Sequence, residues 1–275
     1  MKITLLIAFV TISLFAGNPG KPELQYKYAS GLMNQGNYFE AITEFKRLLF
    51  SDSTAQYKYE AYMGIGASYK KGNFLDNAGN AFAMAELATK QKEKKFEASV
   101  ELSKIRILQR DKRSALETLN RSTEHASSQD ELNRVKSLLG WNHIFAGEWD
   151  SAAVLFNAGM DTSLARYALE IEDKRYSVTL SRMLSIFLPG AGQFYTGNYI
   201  SGVLSLGWHV LWGYDVITAI GAERMFDALM VANFLWLRFY NGNVYNAELF
   251  AEENNRRIDD EAIIHLLDSF EGETP

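Results

Sequence analysis

The chain contains no cysteine, and this absence excludes several kinds of chemistry. Disulfide bridges, thiolate nucleophiles and cysteine metal sites all require the missing thiol. For the same reason we expect no lipid-modified cysteine of the kind that anchors bacterial lipoproteins. The sequence also lacks a basic patch with interleaved aromatic residues, so we expect no nucleic-acid partner.

Motifs of catalysis are equally scarce. The four histidines, His125, His143, His209 and His265, show no metal-ligand spacing to one another or to carboxylates. No Gly-x-Ser-x-Gly nucleophile elbow is present, and the glycine-rich stretch 189–197 lacks the lysine of a phosphate loop. We therefore expect no enzymatic activity, no metal and no cofactor.

Negative charge is concentrated at the C-terminal end. The net charge is −5, but the chain from Glu248 onward carries nine acidic and two basic residues, which leaves the preceding body at about +2. We expect residues 251–275 to form an acidic, solvated tail.

The N-terminus has the pattern of an export signal. Lys2 supplies a positive charge, residues 3–15 are apolar and uncharged, and Ala16-Gly17 provides small residues for cleavage. These features predict a secretory signal peptide over residues 1–17, with an uncleaved anchor as the alternative. Either form predicts that the following chain leaves the cytoplasm.

Three columns of residues recur with a period of 37. Ala41, Ala78, Ala115 and Ala152 form the first column, and a large apolar residue stands four positions after each. A small residue stands twelve positions before each alanine. The large apolar residues are Phe45, Phe82, Leu119 and Phe156. The small residues are Ala29, Gly66, Ser103 and Gly140.

This pattern indicates paired helices. A small residue on the first helix lets the second helix approach closely, and the large side chain packs one turn beyond the alanine. The columns, together with the run Gly36-Asn37-Tyr38, resemble the tetratricopeptide repeat family, whose usual period is 34. The resemblance implies an all-α solenoid of four repeats over residues 22–165.

Such a solenoid presents a concave surface built from the first helix of each repeat. The resemblance predicts that this groove binds an unidentified protein or peptide. An alternative for its aromatic and methionine members is a role in the core or cap. The candidate groove residues are Tyr26, Met63, Lys70, Lys104 and Trp141.

A second, apolar region follows over residues 175–250. The motif Phe194-Tyr195-Thr196-Gly197-Asn198 returns 45 residues later as Phe239-Tyr240-Asn241-Gly242-Asn243, and the stretches 200–220 and 225–237 between the copies are apolar. The two apolar stretches predict a transmembrane helical hairpin. The shorter apolar segment before them, residues 180–188, predicts an interfacial helix. Both motif copies would form turns at one membrane face.

The run Pro189-Gly190-Ala191-Gly192-Gln193-Phe194-Tyr195 resembles bacterial two-span membrane proteins with a Pro-Gly-x-Gly-x-Phe-Tyr-x-Gly motif. That resemblance implies a lipid-bilayer location rather than an activity. The candidate membrane-interface residues are Pro189, Gly190, Gly192, Phe194, Tyr195, Gly197, Phe239, Tyr240 and Gly242.

Four polar residues interrupt the apolar stretches: His209, Asp215, Asp227 and Arg238. Such residues are costly within a bilayer unless they are paired or protonated, and the pairing considered is that of Asp215 with Arg238 or His209 of a neighbouring subunit in a homo- or hetero-oligomer. The short second stretch leaves complete spanning open. The export signal predicts that the repeats and the C-terminus lie outside the cytoplasm. The positive-inside rule opposes this orientation, because most basic residues near the hairpin would then also lie outside. We adopt the orientation that the signal predicts.

These observations predict an exported, membrane-anchored repeat scaffold for protein–protein interaction in the bacterial cell envelope, with the repeats in the periplasm. The alternative is a membrane-embedded subunit of a transport or envelope-assembly complex.

Overall fold

The computed structural model describes residues 21–159 and 161–275, and within these ranges all regular structure is helical. The predicted all-α class is therefore confirmed, while the predicted signal peptide lies outside the described residues. The chain divides into two compact units. One comprises the described residues up to Asp161 together with Gly272–Pro275, and the other comprises Thr162–Glu271.

The first unit consists of four sequence-adjacent helix pairs. Their second helices begin at Tyr38, Leu75, Lys112 and Trp149, which are 37 residues apart as the columns predict. The arrangement is consistent with a helical repeat. The helices are α1 (Pro22–Asn34), α2 (Tyr38–Ser51), α3 (Lys58–Lys71), α4 (Leu75–Leu87), α5 (Lys92–Leu108), α6 (Lys112–His125), α7 (Gln129–Phe145) and α8 (Trp149–Gly159).

Local chemistry at the helix starts agrees with these boundaries. Pro22 occupies the first turn of α1, where its missing N–H costs nothing. The Asp111 side chain accepts a hydrogen bond from the Ser114 N–H and caps α6. Ser128 and Glu131 form a reciprocal capping box at the start of α7.

The turns within the pairs repeat in register. The residues with left-handed backbone conformation are Gly36, Asn73, Arg110 and Gly147, again 37 residues apart. In the second pair Asn73 therefore adopts this conformation, rather than the preceding glycine. The third pair keeps the same turn with an arginine, although its sequence lacks the glycine signal.

The small and large columns meet inside the pairs. A Cβ atom added to Gly66 would lie 2.6 Å from the Phe82 ring, and one added to Gly140 would lie 2.5 Å from Phe156. Both phenylalanines are buried, and Ala78 and Ala152 are fully buried beside them. Burial of each such aromatic side chain contributes about 1.5–3 kcal/mol, and glycine is what permits the approach.

The first compact unit ends at Asp161, whereas the sequence places the end of the repeats at residue 165. Helix α9 (Thr162–Lys174) begins the second unit, where it packs against the long C-terminal helix α14 (Leu237–Ser269). Its buried residues Leu164, Ala165, Ala168 and Ile171 supply the apolar face for that packing.

The second unit contains the predicted hairpin region. Its other helices are α10 (Val178–Phe187), α11 (Ala191–Tyr195), α12 (Tyr199–Gly221) and α13 (Met225–Met230). A π-helical segment, Val231–Trp236, joins α13 to α14 without a break. Helix α12 and the segment from Met225 onward are connected through a short turn at 222–224 and pack against each other.

One helix among the described residues, Tyr199–Gly221, is long and apolar enough to cross a membrane by length and composition. Its most apolar 18-residue window has a mean hydropathy of 1.3 and is 11% buried. Complete spanning by the following helical segment is not established by this criterion.

Two expectations for the end of the chain are wrong. The second motif copy, Phe239–Asn243, lies within α14 and forms no turn, because the helix continues to Ser269. For the same reason residues 251–269 are not a free solvated end. Ala251, Asn255 and Ile263 are among their buried members, so one face of this acidic segment is apolar enough to pack.

The close helix approach predicts opposite effects of alanine at two glycines. Gly66→Ala should lower the free energy of unfolding by about 1–3 kcal/mol, because its methyl group overpacks the buried Phe82 ring. Gly31→Ala is the matched control: it adds the same group to a helix where no atom lies within 4 Å, and should be neutral or stabilising by up to about 1 kcal/mol.

The measurement is urea unfolding of the full chain in detergent, followed by circular dichroism. Adding Phe82→Leu to Gly66→Ala should cost less than the two single changes summed, because the smaller side chain relieves the overlap. Equal midpoints for the two alanine variants would contradict the packing account.

Candidate functional site

The first helices of the repeat unit line a groove. A pocket of about 420 Å³ lies against α1, α3 and α5, and it is bordered by the predicted residues Tyr26 and Met63. Three carboxylates also border it: Glu60, Glu97 and Glu101. The groove is therefore apolar toward α1 and increasingly acidic toward α5.

Tyr59 illustrates the electrostatic character of the acidic part. Burial, followed by the nearby negative charges of Glu97, Glu60 and Glu101, raises the pKa of the Tyr59 hydroxyl to about 12. Lys94 lies over the Tyr59 ring at 5.0 Å and forms a 2.6 Å ion pair with Glu60. The phenol therefore remains neutral and can act as a hydrogen-bond donor throughout the physiological range.

Beside this pocket, two cations hold a carboxylate from the C-terminal end of the chain. Lys104 Nζ lies 2.7 Å from Oε1 of Glu273, and Arg134 Nε lies 2.7 Å from Oε2 and 2.9 Å from Oε1. The same cations contact the pocket carboxylates, with Lys104 at 2.7 Å from Glu101 and Arg134 at 2.6 Å from Glu97. The groove therefore continues from the pocket into a carboxylate-binding site.

The pKa values report how these charges are compensated. Burial alone would raise the pKa of Glu273, but hydrogen bonds and charge from Arg134 and Lys104 outweigh it and lower the pKa. Burial likewise opposes the charge of Lys104, yet Glu101 and Glu273 raise its pKa. The side chains of Glu273, Lys104 and Arg134 therefore keep their charges at neutral pH.

Lys70 behaves differently although it lies near the same carboxylate. Burial is the largest influence and lowers its pKa, and repulsion from Lys104 acts in the same direction. Its 3.5 Å contact with Glu101 is longer than that of Lys104 and only partly compensates. Lys70 is thus a secondary member of the charged cluster.

The structure places the five predicted groove residues differently. Tyr26 and Met63 border the pocket, and Lys70 and Lys104 belong to the adjoining charged cluster. Trp141 is fully buried, which corresponds to the alternative of a core residue. Its prediction as an accessible groove residue is therefore wrong for this structure, since no part of its ring faces solvent.

Sequence reasoning missed the carboxylates and the arginine. Glu60, Glu97 and Arg134 follow one another at intervals of 37, six positions before the small-residue column. That register could have revealed them, because equivalent positions on successive first helices face the same groove. Glu273 carries no such signal, since it lies outside the repeats.

A second polar cluster lies in the other unit and centres on Asn243. Its Oδ1 accepts hydrogen bonds from the Gly190 N–H at 2.9 Å, Gln193 Nε2 at 3.0 Å and Ser205 Oγ at 2.7 Å. Its Nδ2 donates to the Ser185 carbonyl at 3.0 Å. One buried amide therefore joins α10, α11, α12 and α14.

The Pro-Gly-x-Gly run makes this convergence possible. Gly190 has φ +92°, and a Cβ atom on Gly190 would overlap the Gly202 backbone. A Cβ atom on Gly192 would overlap the carbonyl oxygen of Ser181. Both glycines are thus required by close backbone approach, and Gly197, at φ +77°, forms the turn before α12.

The predicted interface aromatics have varied surroundings. Tyr195 accepts a hydrogen bond from the Ser177 N–H at 3.0 Å, and Tyr240 donates one to the Ile186 carbonyl at 2.9 Å. Phe239 stacks on Trp208 at 5.3 Å, while Phe194 is exposed. They therefore tie helices together as well as presenting aromatic surface.

The four predicted intramembrane polar residues do not pair with one another. His209 is buried and its Nδ1 lies 2.7 Å from the Ser205 carbonyl oxygen, while Asp227 pairs weakly with Arg224 at 3.4 Å. Arg238 borders a pocket of about 280 Å³ that Asn243 also lines. Asp215 lies partly exposed on α12.

Within residues 21–159 and 161–275, no group of three His, Asp or Glu side chains is close enough together to hold a metal ion. Comparison of the chain with protein-family models, with curated proteins and with solved structures finds no match.

The Asn243 cluster predicts a large loss of stability on a small truncation. Asn243→Ala should lower the free energy of unfolding by about 2–4 kcal/mol, because the Gly190 N–H, the Ser205 hydroxyl and the Ser185 carbonyl lose their side-chain partner, at about 1–3 kcal/mol for such a buried group. Asn241→Ala, on the same helix but exposed, should be neutral. Thermal unfolding in detergent measures both, and equal transition temperatures would count against the cluster's role.

Proposed function

We propose that this protein is a membrane-anchored helical-repeat scaffold of a bacterial envelope, and that its groove captures a segment of a partner protein. The observation that carries the proposal is the groove itself. A pocket bordered by Tyr26 and Met63 adjoins a site in which two cations hold a carboxylate. Apolar surface with ion-pairing groups beside it suits an extended peptide better than a small metabolite.

The proposed family is the tetratricopeptide repeats. The 37-residue spacing of the second helices and the contact of Gly66 with Phe82 support it. In such an array the first helices form the binding surface, which is where the pocket and the charged cluster lie.

The proposed membrane anchor is the second unit. Helix α12 exposes a nearly continuous apolar surface that includes Ile200, Val203, Val210 and Ile217. A helix of this composition in the core of a water-soluble protein would be mostly buried, whereas its most apolar window is 11% buried. Lipid is the environment that accounts for this surface, and export through the N-terminal signal would place the repeats in the periplasm.

A second candidate function is an embedded subunit of a transport or envelope-assembly complex. It is favoured by Asp215, a carboxylate on an otherwise apolar helix face. A partner helix with a donor group would compensate that charge within the bilayer. Asp215→Leu should release such a partner from a purified complex, whereas a simple anchor would tolerate the change.

Membrane attachment gives a direct expectation. The full chain should stay in the membrane pellet after alkaline carbonate extraction, because α12 holds it through apolar contacts that high pH does not break. A peripheral membrane protein serves as the released control. Recovery of the chain in the soluble fraction would exclude the anchor.

Groove capture can be tested with a pair of methionines from one repeat. A photo-cross-linking amino acid at Met63, which borders the pocket, should trap a defined envelope protein in intact cells. The same amino acid at Met84, 41% exposed on the second helix of that repeat, should not. Identical products from both positions would indicate non-specific contact and would exclude the groove.

A further inference from the structure

The last residues of the chain leave the helix that precedes them and join the repeat unit. Helix α14 ends at Ser269, and Phe270 continues in an extended conformation. Residues Gly272–Pro275 then belong to the same compact unit as α1–α8. Pro275 is buried there. A terminal segment with no regular structure needs specific contacts to be held in this way.

Glu273 supplies those contacts. Its carboxylate receives Lys104 and a two-oxygen contact from Arg134, the kind of charge-assisted interaction that is stronger and more specific than an ordinary surface pair. The Lys104 side chain is only 9% exposed, so its ammonium group depends on these partners for solvation. Removing one partner of a buried ion pair is strongly unfavourable because it leaves an uncompensated charge, whereas removing one partner of an exposed pair has little effect.

Charge balance at this site requires an acidic occupant. Lys70, Lys104 and Arg134 contribute three positive charges, while Glu97 and Glu101 contribute two negative ones. Glu273 makes the cluster neutral. Removal of Glu273 would leave one buried positive charge in excess, which is costly until another anion replaces it.

We propose that residues 272–275 are an intramolecular ligand of the groove, held by Glu273, and that a partner binds by placing an acidic segment of its own on Lys104 and Arg134. The inference rests on the proposed groove function and adds the chemistry of the ligand. The 420 Å³ pocket shares Glu97 and Glu101 with this site, so a partner can first occupy the pocket and then displace the terminal residues. While it occupies the site, the terminal segment lowers the apparent affinity for every partner, and a partner with a well-placed carboxylate has the intrinsic affinity to displace it.

The test uses a fluorescent peptide with the sequence of residues 266–275, added to the full chain in detergent micelles, with binding followed by anisotropy. Glu273→Gln should increase the affinity for the peptide by about tenfold or more, because a tethered competitor acts at an effective concentration of about millimolar. Glu271→Gln is the matched control: it removes an equal charge from an exposed carboxylate two residues earlier and should leave the affinity unchanged.

Two further arms identify the site. A peptide with glutamine in place of Glu273 should not bind the Glu273→Gln chain, and Arg134→Gln in that chain should abolish binding of the original peptide while circular dichroism stays unchanged. If Arg134→Gln disturbs folding, the peptide with glutamine in place of Glu273 alone tests whether the carboxylate is required for binding. Equal affinities of the wild-type and Glu273→Gln chains, or no peptide binding to either, would overturn the proposal.

A second copy of the chain could supply the same carboxylate. Light scattering separates the two sources: the wild-type chain and the Glu273→Gln variant should have the same mass. A wild-type dimer that becomes monomeric in Glu273→Gln would overturn the intramolecular assignment. Cross-linking from Met63 is independent of the peptide assay. If the peptide does not bind but Met63 still cross-links to a partner, the intramolecular-ligand proposal is rejected and the groove function stands. If Met63 gives no cross-linked partner, the groove function itself is rejected.

Discussion

The close approach of paired helices is the constraint on which the repeat unit depends. Glycine at 66 and 140 leaves the space that the rings of Phe82 and Phe156 fill. Since the same relationship recurs every 37 residues, each pair buries its large side chain in an equivalent way. The first helices then present equivalent faces to one groove, and this regularity brings Glu97 and Arg134 into ion-pairing distance.

The second unit depends on a different interaction, a buried amide. Four helices meet at Asn243, and each contributes a donor or acceptor that would otherwise be unsatisfied. Glycines at 190 and 192 permit the backbones to converge there. In a low-dielectric environment such a satisfied cluster favours one arrangement of helices over others, because any rearrangement leaves buried polar groups without partners.

The groove is built from two parts of the chain that lie far apart in the sequence. Its apolar part is built from local helical repetition, while its charged part is completed by Glu273. Lys104 and Arg134 contact groove carboxylates as well as Glu273, so the charges of the cluster are compensated and the site is not generally basic. Composition alone predicts that the acidic C-terminal residues are exposed to solvent. Glu273 instead contacts the surface that is proposed to capture a partner.

The sequence is sufficient to predict the helical class, the 37-residue period and the apolar stretch 200–220, which lies within the helix Tyr199–Gly221, because these depend on contacts between residues close in the chain. It misplaced the second aromatic-glycine motif, since helix continuation depends on packing against other helices. Only the tertiary structure decided the partners of Asn243 and Glu273. The Gly190–Asn243 contact joins residues 53 apart and the Arg134–Glu273 contact joins residues 139 apart, and neither carries a periodic signal.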